Sequence, residues 1–173
     1  MSKIIQMKLN TRDIDRAIKE IEKYRQDFLR KVDVFRGRVA DELANDAQLG
    51  FSSAIIDDLI QGGGRTPNVN VSVTDKGGVS VVIANGSDAI WCEFGAGVYH
   101  NGSVGGSPHP LGVELGYTIG SYGKGYGKGK AWGYYENGEL KITRGSPASM
   151  PMYNAMKTIS AKVVSIAREV FGA

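Results

Sequence analysis

Apolar side chains recur at Ile14, Ile18, Ile21, Phe28, Val32, Phe35 and Val39, at alternating intervals of three and four residues, with Arg25 as the one interruption. Residues so spaced share one face of an α-helix, and a face of that width needs cover from another element. Asn10 or Thr11 can cap this helix, and Asp13 and Asp15 sit favourably at its positive end. The pattern continues more weakly through Leu43, Ala47 and Phe51 toward Ile60 and stops at Gly62, Gly63 and Gly64. A straight helix over the whole run would be roughly 75 Å long. A compact domain of this size has a radius of gyration of about 16 Å. The expectation is therefore a break, with Gly37 and the stretch 45–50 as hinges, or a helix that packs in part against a neighbouring subunit. A free-standing coiled coil is disfavoured, because the heptads are few and interrupted.

Beyond the glycines the periodicity changes to two. Val69, Val71 and Val73 alternate with polar residues, Asp75–Gly78 can turn, and VSVVIA follows, which predicts a β-hairpin. WGYYENGELKIT predicts a second hairpin, with Asn137–Gly138 supplying the positive φ angles of a two-residue turn. Between them the composition changes: fifteen of the 24 glycines fall from Gly95 to Gly145, too little apolar volume to build a core. Pro151 opens a final helix whose apolar face is Met152, Met156, Ile159, Val163, Ile166 and Val170, ending at Gly172. The predicted fold is α+β, a single domain over 1–173. A small, mainly antiparallel sheet is packed by the N-terminal helix region and the C-terminal helix, and 98–131 form a flexible glycine-rich insert.

The same composition limits the chemistry. One cysteine, Cys92, excludes an internal disulfide framework and a zinc site built on several thiolates. No cofactor is expected: the insert has GKG and GKA where a phosphate loop needs GK[ST], and the dinucleotide fingerprint fails in register. No metal is expected either, since His100 and His109 stand in no ligand frame. Cys92 beside Glu93 has no histidine fixed near it in sequence and reads as a buried packing residue. Glu93 and Glu114 are held together by nothing in the sequence. These readings point away from an enzyme. The N-terminus lacks the apolar centre of a signal peptide, and no stretch approaches the roughly 20 apolar residues of a membrane span. Cytoplasmic production and no membrane partner are the expectation.

The insert and the strand after it remain. Tyr122, Tyr126 and Trp132 interleave with Lys124, Lys128 and Lys130. This composition suits a protein interface with aromatic anchors, and it also suits single-stranded nucleic acid, where rings stack on bases and lysines neutralise phosphate. With 21 basic against 18 acidic residues the whole-chain excess is only +3, modest for a dedicated nucleic-acid binder.

Two short stretches taken together, Ala89-Ile90-Trp91-Cys92-Glu93-Phe94-Gly95-Ala96-Gly97 and Ser149-Met150-Pro151-Met152-Tyr153-Asn154-Ala155, resemble the tail-completion, or neck, proteins of long-tailed phages, the Z-type head–tail joining family. Glu93-Phe94-Gly95 fits the family's glutamate–aromatic–glycine turn. Pro151-Met152 with Ala155 fits its proline and large apolar residue leading into a terminal helix. The order of elements is similar over most of the chain; Ala96 stands where the family usually has threonine, Met152-Tyr153 replaces the common Phe-Leu, and the insert is long. The resemblance implies a structural virion protein at the head-proximal end of the tail, assembled in the bacterial host cytoplasm. Its implied partners are further copies of itself in a sixfold ring, tail terminator or tail tube proteins, and head-completion or connector proteins, with DNA only as cargo passing through the channel. In the residues themselves, Trp91 and Phe94 can bury aromatic area, Gly95 permits a tight reversal, and Glu93 can accept backbone amide hydrogen bonds at the turn. A core-anchoring role for this turn is preferred to a direct contact role. Tyr122, Lys124, Tyr126, Lys128, Lys130 and Trp132 are the candidate partner contacts.

Overall fold

The computed structural model describes residue 8 and residues 10–58, 63–95, 109–112, 114–115, 132–143 and 145–172. Its first element is the helix α1, Thr11–Ser53, 43 residues without interruption. Asn10 caps it, its side chain accepting from the Asp13 amide at 2.9 Å, and Asp13 lies in the first turn. The helix breaks expected at Gly37 or within 45–50 do not occur. Gly37 is half-buried with open space around the position a Cβ would take, so it is an ordinary helical residue. At Gly50 a Cβ would lie 2.9 Å from the Pro151 Cβ; this glycine admits another helix rather than bending its own. Nor does helix continue toward Ile60. Ala54 turns to extended backbone at ψ 153°, and Ile56–Asp58 form a short strand, β1, paired antiparallel with β2, Gly63–Arg65.

Both hairpins are present. β3, Asn70–Lys76, pairs with β4, Val79–Asn85, around Gly77 and Gly78, both at positive φ. β5, Trp132–Glu136, pairs with β6, Glu139–Thr143, around Asn137 at φ 52° and Gly138 at φ 82°, the backbone a two-residue primed turn requires. Among the described residues the strands form three separate antiparallel pairs. The architecture is α+β.

α1 and the last helix, α3 (Pro151–Phe171), lie against each other antiparallel. Pro151 sits beside Gly50 at one end; Lys162 pairs with Asp46 and Arg38 with Glu169 along the way. The Phe171 ring packs on Phe28 and Phe35 at the other end, with ring centroids 5.8 and 6.0 Å away. α3 ends there at Gly172, φ 72°, so α1 extends beyond it by the turns from Thr11 to Asp27, about 25 Å.

The inner face of the β3–β4 hairpin packs on the second half of α1. Gln48 joins the two in a specific way: its side-chain amide donates to the Val69 carbonyl at 3.2 Å and accepts from the Val71 amide at 2.8 Å. A helix side chain thereby supplies the pair of hydrogen bonds that a further strand would have given to the β3 edge. Nearer the hairpin tip, Arg36 donates to Ser80, which donates in turn to Asp75. The core lies where these elements converge, around Phe51, Ala54, Ile56, Ala89 and Cys92, with Val69, Val71, Ala84 and Met152 packed on it.

Candidate functional site

The two stretches that carry the family resemblance meet in space. The first is the short helix α2, Ala89–Phe94. Its start is fixed by Asp88, 3% exposed, which accepts from both terminal nitrogens of Arg65 at 2.6 and 2.9 Å and from the Asn68 amide at 2.7 Å. A buried carboxylate satisfied by a two-toothed guanidinium and an amide holds the chain before α2 in one place. At the other end Gly95 stands at φ 80°, and a Cβ there would meet the Ala148 amide nitrogen at 3.1 Å. The family-like glycine is thus required twice, for its dihedral and for the close approach of the segment entering α3.

The second stretch enters directly against α2. The Cys92 carbonyl accepts from the amides of Ser149 and Met150 at 2.9 and 3.2 Å and from the Ser149 hydroxyl at 3.2 Å. Met150 takes a left-handed conformation, φ 51°, and offers no side-chain cap to the helix it precedes. Glu93 supplies the cap from across the fold. Its Oε2 accepts from the Met152 amide at 2.8 Å, and its Oε1 accepts from the Tyr153 amide at 2.9 Å. Pro151 has no amide hydrogen, and the Asn154 amide already bonds the Met150 carbonyl. Every donor of the first turn is therefore accounted for, and the carboxylate stands at the positive end of the α3 dipole.

His109 completes the arrangement. The ring is 5% exposed and lies between Phe94, at 4.5 Å between centroids, and Tyr153, at 5.2 Å in an edge-on contact. The Leu111 amide donates to its Nδ1 at 3.1 Å, which assigns the ring proton to Nε2, and Nε2 donates to Glu93 Oε1 at 3.1 Å. One carboxylate thus ties together α2, the N-terminus of α3 and the segment at His109.

Chemically the cluster is closed. Both oxygens of Glu93 and both nitrogens of His109 are engaged within the fold. Burial pushes the Cys92 thiol up to about 12, with the negative charge of Asp88 adding to the effect and Arg65 opposing it; the side chain is 1% exposed. A thiol so placed is a packing group, not a nucleophile. A groove of about 390 Å³ runs between α1 and α3, lined by Asp46, Leu49, Ser149, Asn154, Thr158 and Lys162, and its acid and base pair with each other at 3.8 Å. Among the described residues no three His, Cys, Asp or Glu side chains gather as metal ligands, and no helix is long and apolar enough to cross a membrane.

Of the residues singled out in the sequence, Trp91, Glu93, Phe94 and Gly95 fall together in α2 and its cap. Glu93 does accept backbone amides, but those of α3 rather than of its own turn. Trp91 and Phe94 are half-buried. Tyr122, Lys124, Tyr126, Lys128 and Lys130 lie outside the described residues, and Trp132 is described only through its backbone in β5. Sequence reasoning missed His109 as a partner of Glu93. Its one local signal is the dipeptide His109–Pro110 within a glycine-rich stretch, which reads as a turn and gives no hint of burial. The chain matches no family model, no curated protein and no solved structure.

Proposed function

We propose that this chain is a structural protein of the phage tail or neck, a ring-forming adaptor at the head-proximal end of the tail that completes the tail and joins it to the head. The observation that carries the reading is the union of Glu93-Phe94-Gly95 with Ser149–Tyr153. The two stretches whose residue types resemble the Z-type family are the two halves of one junction, and the residues the resemblance singles out have a physical reason to be what they are. Glu93 caps α3, Gly95 gives the chain room to pass, and Pro151 contributes no orphan amide while fitting against Gly50. A junction whose polar groups are all spent on each other holds α2 and α3 in one fixed arrangement, as a structural adaptor requires. Tyr122, Lys124, Tyr126, Lys128, Lys130 and Trp132 are assigned to contacts with a neighbouring copy or the adjoining ring. Ordering that many glycines costs conformational entropy that only a sizeable contact offsets.

The test is genetic and ultrastructural. Particles made without this chain should accumulate as separate heads and tails, rescued by the full chain but not by one lacking 121–131. Normal yields of joined, infectious particles in the absence of the chain would refute the assignment.

A further inference from the structure

Among the described residues, two unlike apolar surfaces lie open. The first is on α1, running outward from the end of α3: Ile18, Ile21 and Tyr24, on the turns that α3 does not reach, are 55, 55 and 57% exposed, beside Ile14 at 37%, and Phe28, at the edge of α3, is 47% exposed. The stripe continues, in the same three- and four-residue register, the seam that α3 covers at Phe28 and Phe35, with small Ala17 already buried along it. The second is the outer face of the β3–β4 hairpin. Asp75, Val73 and Val71 face inward with their partners Ser80, Val82 and Ala84, so Val79, Val81 and Ile83 point outward, 60, 39 and 39% exposed, opposite Lys76, Thr74 and Ser72.

We infer that these two surfaces are the halves of one contact between copies: the first turns of α1 in one protomer pack on the outer hairpin face of the next. A helix stripe and a strand row are different surfaces, so joining them makes a head-to-tail contact, and such a contact closes into a ring or runs on as a filament. An isologous pairing of α1 with α1 would bury the stripe but leave the β4 row in water. The row runs about 13 Å along its strand, matching two to three turns of helix. The exposed parts of the stripe amount to on the order of 500 Å² of apolar surface, the size of the largest patch on a typical monomer, which is often a functional one. With the facing row, the contact removes on the order of 1,000 Å² in total, the lower end of specific interfaces. A lone two-stranded hairpin is also marginal in water. Within its own protomer this one is covered on one face by α1; the neighbour's α1 would cover the other. Between Thr11 and Asp27 five basic residues (Arg12, Arg16, Lys19, Lys23, Arg25) face five acidic ones (Asp13, Asp15, Glu20, Glu22, Asp27), so no net charge directs this helix toward nucleic acid.

The inference rests on the proposed self-assembly, not on the particle in which it takes place, and it is tested on the purified chain. Wild type should grow in sedimentation velocity as its concentration rises. Ile18→Lys and Val81→Lys, both at exposed sites that leave the fold intact by circular dichroism, should each sediment as an 18.6 kDa monomer. Mixed one to one, the two variants retain one good helix and one good hairpin between them, so they should form dimers that grow no further. In oxidising conditions, Ile18→Cys and Val81→Cys should crosslink when mixed and not alone, with buried Cys92 taking no part. A wild type that stays monomeric at its highest soluble concentration overturns the inference, as does continued growth of either lysine variant or self-crosslinking of Ile18→Cys alone. Head-to-tail assembly in solution together with normal particles lacking the chain would retain this contact and refute the virion role. A monomer in solution whose loss still separates heads from tails would do the reverse.

Discussion

Glu93 Oε2 lies 2.8 Å from the amide nitrogen of Met152, 59 residues on, and this contact makes the side chain of one helix the N-cap of another. Local caps stand one residue before their helix and act on its own first turn. Here the position before Pro151 is Met150, which has no side-chain oxygen and sits in the left-handed region, so the capping group has to come from elsewhere. The folding of α3 is thereby coupled to the placement of α2.

That coupling sets the cost of Glu93→Gln. The substitution keeps the volume but replaces one acceptor with an NH₂ that must face an amide hydrogen of α3 or the Nε2 hydrogen of His109. A buried donor left without a partner costs about 1–3 kcal/mol, and charge-assisted bonds exceed neutral ones. Chemical denaturation should show a loss of about 2–4 kcal/mol. A loss under about 0.5 kcal/mol, the range of an ordinary surface change, would mean that the carboxylate is not the cap.

The two glycines of α1 should respond oppositely to alanine. In a helix interior alanine is favoured over glycine by about 1 kcal/mol. At Gly37 nothing stands within 4 Å of the new methyl, so Gly37→Ala should raise the thermal midpoint. At Gly50 the methyl would press on Pro151 at 2.9 Å from its Cβ and 3.2 Å from its Cα. Proline cannot rotate away, so Gly50→Ala should push α3 off α1 and lower the midpoint despite the better helix propensity. Equal stabilisation by both would show that the helices do not approach so closely at Pro151.

The same two glycines show what could be read from the sequence and what could not. The stripe from Ile14 to Val39 announced α1, and Asn137–Gly138 announced the second hairpin, because periodicity and turn chemistry are local properties. A glycine that relieves a contact 101 residues away looks in the sequence like one that bends its own helix, so the sequence alone makes Gly50 a hinge candidate. In the sequence, Ile56–Asp58 reads as the tail of the helical pattern, since three residues carry no period of their own. The turn at Glu93-Phe94-Gly95 was legible as a turn with a carboxylate in need of donors. Its donors, Met152 and Tyr153, and its third partner, His109, are brought to it by tertiary packing alone.

Cys92 provides a test of that packing that needs no substitution. Its carbonyl accepts from the Ser149 and Met150 amides, while its thiol lies in the core beside Phe51 and Ala89, where burial lifts its pKa from the ordinary value of 9.0 to about 12. Alkylation requires thiolate and access, so a small electrophile at neutral pH should leave native protein unlabelled and should label it fully in denaturant. The linkage runs in one direction. The folded state holds the proton more tightly than the unfolded state, so the two bind protons equally below pH 9. Above that the unfolded chain loses its proton first, and stability falls as pH rises through the window from about 9 to about 12. Denaturation curves in that window should weaken with pH in the wild type and less so in Cys92→Ala, whose overall stability is lower from the methyl-sized void. Rapid native labelling at neutral pH would place the thiol at the surface and remove the meeting of α1, α2 and α3 from the centre of the fold.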